Sequence, residues 1–487
     1  MSSSTSEVTR PSGRAALRWP LGPWMLSLLV LTTIGAAGLL GSMADPMISV
    51  GTWGYAVWPA AAIVGLLAVA STARFARSGP SRAAAEAQPL AEPFVPQDPP
   101  VVQRFRRRMG GWGTFVAGLS QLLGMVTAGS VIAILVAGTL LPRDSPWVRL
   151  GAVVYLLVLV VARGYLPEPH RLLTVVVVVA AVLGLLGVAL HVQEVEGALA
   201  ARVVRPRSPA TVESVLEATA LLPIAFLPLM RMSLMLPGLP SPRRRLVARR
   251  VLPLTALAAT ALGVFLGQAM AGVLEPVSAT GSALTAADSD GHLAVALAAR
   301  AVTLVLGTVI VLVLLDDSQV IGSRMMRHNA LPDLFTAPAG RRVNPRGELL
   351  VLAAAGLAIV VSPSPRDLIA FSAFCVLGLF GSLHVAVMRP RGDGRYRIGL
   401  LPIAGLVACL ALIFSLPPEV ILTGVALLSL AVSLRAVFIV RSEPLVPDIV
   451  EGVGAGPSAA ASGGPEDAAG DLPADHRARG PEHGPEG

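Results

Sequence analysis

Apolar residues run along the chain in blocks of roughly 20, broken by short polar stretches, and blocks of that length predict helices that cross a bilayer. Backbone groups inside lipid must be satisfied within the spanning structure, so the blocks read as helices; this holds even for the β-branched tract Val175 to Val179. The blocks lie near 22–43, 54–74, 112–141, 147–165, 171–191, 214–236, 251–274, 297–323, 348–363, 367–388, 398–416 and 419–440, which gives about twelve spans. The first block reaches Gly41-Ser42-Met43-Ala44 and a second follows almost at once, so it reads as a retained span and not as a cleaved signal. The expected fold class is an all-α integral membrane protein.

The polar stretches orient the spans. Arg14 and Arg18 precede span one, and Arg74, Arg77, Arg104, Arg106, Arg107 and Arg108 lie between spans two and three. Further clusters follow span six (Arg243, Arg244, Arg245, Arg249, Arg250), span eight (Arg324, Arg327, Arg341, Arg342, Arg346) and span ten (Arg389, Arg391, Arg395, Arg397). The loops 44–53, 275–296 and 415–418 carry no Arg. Basic residues collect on the cytoplasmic side of membrane proteins, so this pattern places both termini in the cytoplasm of a multi-pass cell-membrane protein. The loop 192–213 disagrees, since it carries Arg202, Arg205 and Arg207 on the expected outer side; long loops translocate despite charge.

Composition strengthens this picture. Of 487 residues 54% are hydrophobic and 14% charged, against about 25% charged in a soluble domain, so lipid must cover much of the surface. The net charge of +8 comes from Arg in short loops between apolar blocks, which explains it without a nucleic-acid partner. Cys375 and Cys409 lie within apolar blocks and read as small buried residues. Residues 79–103, rich in Pro, Ala and Gln, read as a cytoplasmic connector, and the Gly-, Pro- and acid-rich tail 441–487 has no apolar period to fold around. No phosphate loop, metal-ligand cluster or Ser–His–Asp set stands out, so neither an enzyme nor a cofactor is expected.

Several local motifs stand in a telling order. After span six comes Ser241-Pro242-Arg243-Arg244. At the end of span eight comes Gly322-Ser323-Arg324-Met325-Met326-Arg327-His328-Asn329-Ala330-Leu331-Pro332. Spans one and two carry Gly41-Ser42-Met43 and then Gly54-Tyr55-Ala56-Val57-Trp58-Pro59, ending in Ala73-Arg74-Phe75-Ala76. Over roughly 22–440 the chain resembles the amino acid–polyamine–organocation (APC) transporter superfamily. The resemblance implies two inverted repeats, 22–191 (spans 1–5) and 214–388 (spans 6–10), joined by an external loop 192–213, with spans 11 and 12 in 389–440 outside them and 1–21 as a cytoplasmic N-terminus. It also implies broken helices in spans 1 and 6, whose free backbone groups and helix ends hold substrate and ion.

Where the family's first break reads Gly-Ser-x-Ile-Gly-x-Gly, this chain reads Gly41-Ser42-Met43-Ala44-Asp45-Pro46-Met47. Span six reads Ile224-Ala225-Phe226-Leu227-Pro228-Leu229-Met230-Arg231 in place of a Gly-Phe-Asp or Gly-Phe-Glu element. The family's substrate and coupling ion therefore do not carry over. The resemblance puts the substrate site at Gly41, Ser42, Asp45, Phe226, Pro228 and Arg231.

A charge at the bilayer centre costs roughly 2.5–3.5 kcal/mol on insertion scales, so it persists only where it is paired, wet or useful. Arg231 either pairs with Asp45, holds an anionic group of the substrate, serves a structural pair, or snorkels; Asp45 otherwise lies at the outer interface. Asp316 and Asp317 in span eight are the acids placed to exchange H+ or bind Na+ as coupling ion, or else they snorkel to Arg324 or Arg327. Being adjacent, they point about 100° apart and cannot share one cavity equally. His384 in span ten reads as a satisfied core histidine, and Gln121, Gln268 and Gln319 as hydrogen-bonding groups between helices. The leading function is a secondary transporter moving an amino acid, polyamine or related amine by alternating access. The alternative is a transport-inactive sensor or scaffold on the same fold. The oligomeric state is open.

Overall fold

The computed structural model describes residues 29–37, 50, 53–77, 100–141, 147–165, 179, 182, 184, 211–235, 245–273, 293–327, 345–389 and 399–442. Helices keep the number of the span they occupy. Residues 29–37 are helical in span one, and residues 179, 182 and 184 in span five. Span two is Gly54–Arg77, span three Pro100–Leu140 and span four Trp147–Tyr165. Span six comprises Val212–Leu221, a 3-10 turn Pro223–Phe226 and Leu227–Met235. Span seven is Leu252–Val273, entered through a π-helical turn Val247–Val251. Spans eight to twelve are Leu293–Arg327, Pro345–Val361, Pro365–Met388, Leu400–Phe414 and Pro418–Ser442. Seven of the described helices are long and apolar enough to cross a bilayer. The described residues are helical with short connections, as the apolar blocks predict.

Span two meets span seven, span three meets span eight, and span four meets span nine. In these three pairs a span packs on the one five places later. Two five-span repeats related by a two-fold axis produce that pairing, because each such contact is its own symmetry mate. Span three is the central strut: it packs along both span eight and span ten.

Close approach at glycine sets the helix spacing, as is common where lipid supplies no hydrophobic drive. Trp58 of span two lies on Gly263 of span seven, and Phe226 of span six lies on Gly65 of span two; a methyl group at either glycine would meet the ring. Local caps define helix starts. The Thr211 hydroxyl accepts from the Ser214 N–H at 3.2 Å, and the Ser214 hydroxyl accepts from the Thr211 N–H at 3.1 Å, a reciprocal cap. Ser364 accepts from the Asp367 N–H at 3.1 Å, with Pro365 in the first turn of span ten.

Two boundaries differ from the sequence reading. The connector 79–103 gives way to helix at Pro100, well before the predicted start of span three at 112. Gly110, with φ 73° and ψ 179°, breaks that helix, so the Arg-bearing segment and the apolar span are two helices at an angle. Arg149 and Arg366 lie at ends where the charge pattern favours few arginines. Arg149 donates to the Pro363 carbonyl at 2.8 Å, past the end of span nine, and Arg366 pairs with Glu217 at 2.7 Å. The tail 443–487, the loop 192–210 and most of spans one and five lie outside the described residues.

Candidate functional site

Span six changes its hydrogen bonding at two prolines. Pro223 has no N–H for the Thr219 carbonyl, which accepts instead from the Leu222 N–H at 3.3 Å. Pro228 likewise leaves the Ile224 carbonyl, which accepts from Leu227. The stretch between them tightens to a 3-10 turn. The break in span six is therefore set by Pro223 and Pro228 together; only Pro228 stood out in the sequence. The backbone does not unwind here: Leu222 (φ −89°, ψ −19°) and Leu227 (φ −56°, ψ −41°) both stay in the helical region. Phe226 in this turn is fully buried against Gly65, and Pro228 is half-buried.

One turn further on, Arg231 forms an ion pair with Asp317 of span eight. Their side chains are 14% and 15% exposed, so the pair sits largely within the helix packing. Asp316 turns away, as its neighbour's direction requires, and pairs with Arg163 of span four. Arg163 also donates to Glu348 of span nine at 2.9 Å. Five charges on four helices form two linked groups: Arg231 with Asp317, and Arg163 shared by Asp316 and Glu348. The adjacent aspartates are therefore not alike. Asp317 faces span six, whereas Asp316, 56% exposed, faces span four at the edge.

This arrangement shows partners for three of the charges that the sequence singled out. Arg231 takes Asp317 as a partner, and Asp316 takes Arg163. Gly41, Ser42 and Asp45 lie outside the described residues. Arg163 and Glu348 are additions: each sits at the edge of a predicted apolar block, where a charge reads as a boundary. Their signal was the pairing of span four with span nine, which a five-plus-five repeat implies.

Beside Asp317, Ser318 lines a cavity of about 20 Å³, room for about one water molecule, among Met125, Gly129, Leu156, Leu314 and Ala355. The Ser318 hydroxyl donates to the Leu315 carbonyl at 2.8 Å. The Gln319 amide nitrogen is buried without a hydrogen-bond partner, so the predicted interhelix bond is not made by that atom. His384 is fully buried, with its Nδ1 2.9 Å from the Ser71 hydroxyl and its ring against Gly405, which fits a core histidine satisfied on one nitrogen. Both cysteines are buried and free.

No protein-family model matches the chain, and no protein of curated function matches it either. Solved structures do. Crystal structures of two mutant forms of a manganese transporter from Eremococcus coleocola each align with a TM-score of 0.52, covering 90% of this chain and 97% of theirs, at 12% identity. This chain has an all-α membrane-transporter fold. Identity this low carries the fold and nothing finer. Together with the apolar helices it makes the chain a multi-pass membrane protein of transporter architecture.

Proposed function

We propose that the chain is a secondary active transporter of an amino acid, polyamine or related amine, working by alternating access in the cell membrane, and a divergent member of the APC superfamily. The observation that carries this reading is the Arg231–Asp317 pair beside the proline-bounded turn of span six. A buried ion pair is at best weakly stabilising compared with apolar packing, so its retention asks for another use. Arg231 offers a planar fork of donors for a carboxylate. Broken helices of this fold type place substrate groups at the break. The substrate then rests between residues 41–48 and 225–233, with Gly41, Ser42, Asp45, Phe226, Pro228 and Arg231 around it, and Asp317 as the coupling acid. The aligned structures are of a manganese transporter; a guanidinium fork matches a carboxylate in place of a metal ion, which favours a carboxylate-bearing organic substrate here.

A second reading, a sensor or scaffold without transport, draws support from the break itself. It stays helical and is packed tightly by Phe226 on Gly65. Reconstituted liposomes separate the two. Accumulation of a labelled amino acid or amine against its gradient, driven by an imposed H+ or Na+ gradient, is the expected result. Failure of every amino acid, polyamine and Mn2+ in the panel to enter, with correctly inserted protein, rejects transport.

A further inference from the structure

Arg231 already holds a carboxylate, and that carboxylate belongs to the protein. Its guanidinium, the group that the proposed function turns toward substrate, is taken by Asp317. We propose that a substrate carboxylate displaces Asp317 from Arg231 and that the displaced Asp317 takes up one proton, so that substrate and H+ load together. This rests on the transporter reading above and deepens it, because it assigns the coupling ion and the substrate group that engages it.

The two partners stand on helices of different stiffness. Asp317 sits in span eight, one helix from Leu293 to Arg327. Arg231 sits in the short segment Leu227–Met235, separated from the rest of span six by the 3-10 turn. Both prolines there have already given up α-helical bonds, so that segment can tilt at low cost in backbone hydrogen bonds. A small tilt moves Arg231 from Asp317 toward a ligand at the turn while span eight stays fixed.

Arg231 is the cation paired with Asp317. The charged groups acting on it are Arg231, Asp316 and, two turns along the same helix, Arg324. Arg163 is committed to Asp316 and Glu348. An ionised carboxylate left at this depth without its partner is costly, and such a group neutralises instead. The charge balance closes. Before loading, Asp317 and Arg231 cancel. After loading, the substrate carboxylate and Arg231 cancel, Asp317 is neutral, and the substrate ammonium leaves one net positive charge on the complex, equal to the proton taken from the aqueous side to which the site is open. The Arg163 group is left undisturbed. A polyamine has no carboxylate to offer Arg231, so it cannot drive this exchange.

The test uses the purified full-length protein in weakly buffered detergent solution, titrated with the L-amino acids and their decarboxylated amines. Calorimetry reports binding and a pH dye reports proton uptake. The expected result is about one proton taken up per amino acid bound, and none with amines. In Asp317→Asn the competitor for Arg231 is gone, so the same amino acid should bind at least about tenfold more tightly and without proton uptake. Amino-acid binding to the parent with no proton uptake overturns the exchange and leaves the transporter reading standing. Proton uptake that persists in Asp317→Asn overturns the assignment to Asp317. If Asp317→Asn fails to assemble, the parent measurement still decides, and Asp317→Glu should retain both binding and uptake. If no compound binds the parent, the transporter reading falls and the exchange with it.

Discussion

Arg435 in span twelve and Arg231 in span six both place a guanidinium within an apolar helix, and they are held by different kinds of partner. Arg435 donates to the Gly111 carbonyl at 3.0 Å and lies over the rings of Trp112 and Phe115, at 4.9 and 4.5 Å from their centroids. All three partners are neutral and belong to the start of span three, just past the kink at Gly110. Nearby, Arg389 donates to the Arg108 carbonyl at 2.5 Å and Arg108 to the Ala386 carbonyl at 3.1 Å. That region is an anchor: dipoles and aromatic faces hold the Arg435 cation. Arg231 is held by a carboxylate, which a proton can neutralise and another carboxylate can replace. Neutral partners suit a cation that stays; a charged partner suits one that changes hands.

The largest expected break in this contrast is Arg231→Met. It strands Asp317 at 15% exposure and should cost about 3–5 kcal/mol of stability, read as a lowered thermal midpoint in detergent, and abolish uptake. Adding Asp317→Asn to it should recover most of the stability and none of the uptake. If uptake survives Arg231→Met in well-inserted protein, Arg231 is an anchor like Arg435. The matching change Arg435→Met should cost about 2 kcal/mol and leave substrate affinity unchanged. A shift in affinity there would remove the distinction between the two arginines. Gly110→Ala forces a side chain onto a positive φ and should cost roughly 1–2 kcal/mol, again without touching affinity. Asp316→Asn should do least, under about 1 kcal/mol, because the carboxylate is exposed and Arg163 keeps Glu348. Equal effects of Asp316→Asn and Asp317→Asn on proton-driven uptake would make the two aspartates equivalent and contradict their different surroundings.

Much of this was readable in the chain before any fold. Arg231, Asp316 and Asp317 stand out because a charge inside an apolar block is expensive, and expense marks use. That the two aspartates diverge follows from the helical angle between neighbours. Their partners were not readable. Position along the chain offered Asp45, Arg324 and Arg327 as candidates; the fold adds Arg231 with Asp317 and Arg163 with Asp316. Arg163 and Glu348 sit where an apolar block shades into a loop, so their charge alone said nothing. Pro223 lay hidden beside the more central Pro228, because the two act jointly through the hydrogen bonds they withhold.

The chain alone determined that it folds as apolar helices, because block length and the cost of unsatisfied backbone in lipid admit little else. It also determined which charges would need a reason to exist. Only the tertiary structure decided which helix each of those charges faces. The direction of a side chain around a helix is local, but the helix that meets it is chosen by long-range packing, here span eight against spans six and four. For the same reason Arg435, which the sequence reading passed over, became an anchor only when span twelve met the kink at Gly110.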